Sequence, residues 1–138
     1  MLASGGCGGG STGGQTLPAS LVKQIAAVAR NTSGTYLGDA SVKTAEVYGP
    51  ASYLTIEKAS NRAFASGGSL QGDFYLIVLR GHFVCNCPTP PGGQTPRARI
   101  ATVVWSPTRK ENATEFALAR RLPRTMSRLG KATVISVR

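Results

Sequence analysis

Acidic residues are few. Six Asp and Glu stand against sixteen Lys and Arg in 138 residues, a formal net charge of +10. Asp39, Glu46, Glu57, Asp73, Glu111 and Glu115 are spread singly along the chain. None forms a pair at helical or strand spacing, so the paired carboxylates of general acid–base hydrolysis are missing from the pattern. Histidine is scarcer still, since His82 is the only one. It lacks the adjacent carboxylate and nucleophile that a catalytic base needs. Long apolar runs are also missing: nothing approaches the ~18 to 20 residues of a membrane-spanning helix. The Gly-Gly pairs at 67–68 and 92–93 do not open a helix in a strand–loop–helix unit, so they read as turns and not as phosphate cradles. Together these gaps favour a protein that binds over an enzyme, and nothing in the pattern asks for a cofactor.

The longest apolar stretch is residues 74–79, Phe-Tyr-Leu-Ile-Val-Leu, running on into Arg80, Gly81, His82 and the Cys85/Cys87 pair. In an extended chain Phe74, Leu76 and Val78 share one face and Tyr75, Ile77 and Leu79 the other, so both faces are apolar. A strand of that kind belongs in the middle of a sheet covered on both sides. Around it the periodicity predicts a helix over residues 17–30, stopped by Asn31 to Gly34, and a strand over 41–48, closed by Gly49 and Pro50. A short helix follows over 53–64, capped by Ser52 or Thr55. After the central strand, prolines 88, 90, 91 and 96 enforce a long connection. Strands over 98–105 and 113–119 then pair as a hairpin, a helical turn over 126–129 ends at Gly130, and a last strand covers 132–137. The expected fold class is α+β: a single antiparallel β-sheet of about four to five strands packed against one long and one short helix, over residues 17–138.

Residues 1–16 carry too much glycine to hold structure and read as a flexible Gly/Ser-rich tether. Within them Leu2-Ala3-Ser4-Gly5-Gly6-Cys7 resembles the end of a bacterial lipoprotein signal, in which the cysteine is lipidated. Leu2 stands farther from Cys7 than the four-residue lipobox has it, and a start upstream of Met1 would supply the charged and apolar regions of such a signal. Farther on, residues 75–83, Pro90-Pro91-Gly92, Thr102-Val103-Val104 and the Leu122-Pro123 to Leu129-Gly130 segment resemble uncharacterised small secreted proteins and lipoproteins of actinobacteria and related bacteria. The order of elements is similar to PepSY-like extracytoplasmic domains. The resemblance implies an extracytoplasmic α+β domain, secreted or membrane-anchored through lipid, and carries no catalytic residues to transfer. In the hairpin turn, where that pattern has an Asp-x-x-Thr-Gly step, Ser106 to Lys110 removes acid and adds base.

Charge is uneven. From Arg97 onward ten basic residues face Glu111 and Glu115, a balance of +8, whereas the first 96 residues hold six against four, a balance of +2. A field of that sign favours an anionic partner, either an acidic cell-envelope component or a protein, with nucleic acid as the alternative. The candidate binding residues are Arg97, Arg99, Arg109, Lys110, Arg120, Arg121 and Arg124. Scattered arginines are equally the ordinary surface of a chain from a GC-rich genome. Trp105, Phe74, Tyr75, Phe83 and Phe116 fall on strands, where they fill a core unless several are exposed as stacking platforms.

His82, Cys85 and Cys87 place three soft or borderline donors within six residues, as zinc or copper(I) would want. A fourth ligand is not evident, Met126 being the only distant soft candidate. A disulfide between Cys85 and Cys87 competes with that small metal-binding reading, as exported proteins oxidise their cysteines. The sequence therefore describes a non-catalytic extracytoplasmic binding or regulatory domain, lipid-anchored at Cys7, with a basic C-terminal half.

Overall fold

The computed structural model describes residues 17–60, 72–85, 91–93, 95–109, 113 and 115–138. The chain builds helix α1 (Ala19–Asn31), strand β1 (Thr44–Ala51), helix α2 (Tyr53–Ala59), and strands β2 (Phe74–Val84), β3 (Arg97–Trp105), β4 (Glu115–Ala119) and β5 (Thr133–Ser136). The strands form one antiparallel sheet in the order β4-β3-β2-β1-β5. The expected α+β class holds, with β2 third of five.

The two-sided apolar run dictates this placement. Tyr75, Ile77 and Leu79 enter a core shared with Ile25, Val28 and Ala29 of α1 and with Val103 and Trp105 of β3. Phe74, Leu76 and Val78 enter a second core with Tyr53 and Ile56 of α2 and with Met126. All six β2 residues are at most 6 % exposed. Burying such side chains is worth roughly 1.5–3 kcal/mol each, which an edge position or a single covering layer would forfeit. Trp105, Phe83, Phe74 and Tyr75 are all buried, so these aromatics are core and not stacking surface.

Helix α2 begins where Ser52 Oγ accepts the Thr55 N–H at 3.1 Å, which settles the cap on Ser52. A six-residue 3-10 helix (Arg124–Leu129) packs beside α2, and Thr125 Oγ1 donates to the Ala59 carbonyl. Tyr53, 1 % exposed, donates its hydroxyl to Glu115 across to β4.

Several boundaries differ from the sequence expectation: α2, expected over 53–64, ends at Ala59 with Ser60 as its C-cap, and the helical turn expected over 126–129 begins at Arg124. The first helix does not stop at Asn31 to Gly34 but widens into a π turn (Thr32–Tyr36). Thr32 and Ser33 are buried there, and their carbonyls accept the Leu37 N–H at 3.0 Å and the Asp39 N–H at 2.7 Å. A helical path therefore satisfies backbone groups that a loop would leave unpaired in the core. Likewise β1 does not close at Gly49-Pro50 but runs on to Ala51 with a slip in register after Tyr48. Gly49 takes φ +115°, and a Cβ on it would stand 2.8 Å from the Phe74 carbonyl oxygen, so glycine is what lets the strand bend across its neighbour.

A second irregularity sits in β2, between Arg80 and Phe83, where three steps on β2 match two on β3. Gly81 occupies this bulge. A Cβ there would lie 2.6 Å from Asp39 Oδ2 and 3.0 Å from the buried Phe83 ring. Substituting Gly81→Ala should lower unfolding stability by about 1–3 kcal/mol, the usual cost of overpacking, as read from urea denaturation. An unchanged midpoint would show that the approach of Asp39 to this bulge is loose.

Candidate functional site

One end of the sheet gathers the C-terminal end of β2, the first residues of β3 and the exit from β4. Ile100 pairs with Ala119, so β3 enters the sheet and β4 leaves it at the same level. Arg97 and Arg99 precede that level and Arg120 and Arg121 follow it, and all four are exposed.

Two open clefts adjoin there. One, about 880 Å³, lies between Arg97 and Arg120 and is floored by Pro96, Ala98 and Leu118. The other, about 320 Å³, lies on the far side of Arg97 and is lined by His82, Val84 and Arg99. Arg97 and Ala98 line both, so this pair of clefts, the arginine recess, flanks the first residues of β3. Arg121 lines a third cleft beside β4. The expected basic set is thus divided. Arg97, Arg99 and Arg120 line the two adjoining clefts, while Arg124 opens the 3-10 helix and lines none of the three. Arg109 follows the opposite end of β3, roughly 25–30 Å away by strand rise. Lys110 and the Arg109 side chain lie outside the described residues.

The carboxylates near this end are already engaged. Glu46 Oε2 accepts from Arg80 Nε at 2.8 Å, the one ion pair between described residues. Asp39, 9 % exposed, accepts the main-chain N–H of His82 at 2.8 Å and both the N–H and the hydroxyl of Ser41, at 2.9 and 2.5 Å. The side chains of Arg97, Arg99, Arg120 and Arg121 make no hydrogen bond or ion pair with any described residue.

Asp39 bonds the His82 backbone and not its ring, so the pair acts as a clasp on the β2 bulge and not as a catalytic dyad. The His82 N–H and the two Ser41 donors hold the carboxyl below its ordinary range. The sequence hinted at this clasp only through the Asp39-Ala40-Ser41 spacing, which suits a turn closed by the aspartate side chain.

Cys85 is disulfide-bonded. A disulfide sulfur is not a thiolate ligand, so metal binding at His82, Cys85 and Cys87 would require the reduced protein. Met126, the distant fourth donor, is 5 % exposed in the core beneath α2. Among the described residues no group of three potential metal ligands assembles. Cys87, the expected disulfide pairing with it, and Cys7 with its lipidation lie outside the described residues.

Compared with family models, with curated proteins and with solved structures, the chain matches none. The resemblance to small secreted proteins rests on the short motifs alone, and the site is argued from its own geometry.

Because the folded pKa of Asp39 is depressed, its contribution to stability is present above the unfolded value of about 3.9 and is lost as pH falls through the folded value. Urea midpoints measured from pH 6 down to pH 2.5 should fall through this window less steeply in Asp39→Asn than in the unaltered protein. Parallel curves would mean that the clasp carries no titratable stability.

Proposed function

We infer that the protein is a non-catalytic extracytoplasmic domain that binds an anionic component of the cell envelope through the end of its sheet. One observation carries this reading: three arginines from two chain segments, Arg97, Arg99 and Arg120, line two adjoining clefts and form no ion pair with any described residue. Guanidinium groups present fixed forks of donors that match phosphate and carboxylate oxygens, and an uncompensated cluster attracts such a polymer at a distance. The disulfide at Cys85 supports an oxidising compartment, where such bonds persist. Lipidation at Cys7, on the Gly/Ser-rich tether, would hold the domain at the membrane surface with the recess free to meet its partner.

Nucleic acid is the weaker reading. With Phe74, Tyr75, Phe83 and Trp105 buried, those four rings are not available to stack on the bases of a single strand.

Affinity for a glycerol-phosphate polymer, measured from 50 to 300 mM salt, tests the proposal. Arg97→Gln, Arg99→Gln and Arg120→Gln should each weaken binding and flatten the log–log salt slope, by up to about one per phosphate contact removed. Arg124→Gln and Arg128→Gln, on the 3-10 helix, should change little. Equal losses in both groups would show that scattered charge, and not the recess, does the binding. Tighter binding of a random DNA duplex than of the polymer would transfer the site to nucleic acid.

A further inference from the structure

Behind β4, on the α2 side of the sheet, lies a cleft of about 230 Å³, which shares Leu118 and Ala119 with the larger arginine cleft but none of its arginines. Its walls are apolar: Leu118 and Ala119 of β4, then Leu122 and Pro123. Three polar side chains interrupt them, and each is specific. Thr102 of β3 is 3 % exposed, yet its hydroxyl meets no hydrogen-bond partner. Ser60, also 3 % exposed, directs its hydroxyl proton to the Ile56 carbonyl at 2.8 Å and the Glu57 carbonyl at 3.2 Å, so toward the cavity its oxygen can only accept. Arg121, which is exposed, also lines the cleft.

A buried hydroxyl without a partner is costly to retain, and close-packed strands seldom keep one without use. Thr102 stands in an otherwise apolar strand between Ala101 and Val103, where valine would have the same shape and no unpaired group. The chemistry of the three side chains specifies what would fit. A ligand hydroxyl accepts from Thr102 and donates to Ser60, which satisfies both buried oxygens. A carboxylate at the other end of the ligand meets Arg121. At about 230 Å³ the cleft is smaller than the roughly 300 Å³ at which pockets for drug-sized ligands begin, so it suits a small molecule. The geometry points to this cavity as a binding site for a short hydroxycarboxylate. The site shares no arginine with the recess, and it stands or falls independently of the envelope-binding reading.

Amide NMR titration of the full oxidised chain with 3-hydroxybutyrate and with butyrate tests the assignment. Saturable shifts should centre on residues 60, 102 and 118–123, with the hydroxy acid binding about tenfold tighter than butyrate. Thr102→Val should abolish that preference, Thr102→Ser should retain it, and Arg121→Gln should weaken both acids alike. Equal affinity for the two acids, or no saturable shift at millimolar concentrations, would overturn the proposal and leave Thr102 bonded to water only. If Thr102→Val does not fold, the preference in the unaltered protein and in Thr102→Ser decides the matter.

Discussion

The structure depends on one constraint, that six consecutive residues of β2 must be removed from water on both faces. A strand apolar on one side needs a single covering layer, but Phe74 to Leu79 needs two, and a neighbour on each edge. Helix α1 supplies the first layer through Ile25, Val28 and Ala29, and α2 with the 3-10 turn supplies the second through Tyr53, Ile56 and Met126. Strands β1 and β3 supply the edges, and β4 and β5 close the sheet outside them. With both faces covered, charge has few places to go, and much of it collects where strands enter and leave. The arginine recess is in that sense a by-product of how completely the middle of the sheet is buried.

The Asp39 clasp explains why that end is ordered enough to act as a site. The chain leaves α1 through a π turn, which brings Leu37 against Val84 and delivers Asp39 to the bulge in β2. There the carboxylate takes the His82 N–H that the bulge removes from the β2–β3 ladder. Gly81 allows the approach, and the bulge turns the end of β2 toward Arg97 and Arg99. Sequence, backbone irregularity and site geometry are linked through one side chain that is not itself in the recess.

The sequence made the sheet legible and the site only in part. Alternation and two-sided apolarity placed β2 in the middle, and the β3–β4 hairpin followed from two short strands and a polar turn. The π turn was hidden because Asn31, Thr32, Ser33 and Gly34 have the composition of a helix stop, and only tertiary burial of Thr32 and Ser33 overrides it. The extension of β1 through Gly49-Pro50 was hidden for a similar reason, since the residues that bend a strand are those that end one. The basic excess after Arg97 was visible as a number, but bringing Arg97 and Arg99 to the level of Arg120 depends on register, namely Ile100 opposite Ala119. Thr102 was passed over because a threonine in a strand is ordinary, and its hydroxyl becomes conspicuous only once its surroundings are known.

The central claim concerns β2, and native-state hydrogen exchange measures it most directly. Amides of residues 75–79 should exchange only through global unfolding, with protection that tracks the free energy of denaturation and exceeds that of the edge strands β4 and β5. If these amides instead exchange as fast as those of β5, or at a free energy well below global unfolding, then β2 does not lie between two covered faces and the placement of the arginine recess loses its foundation.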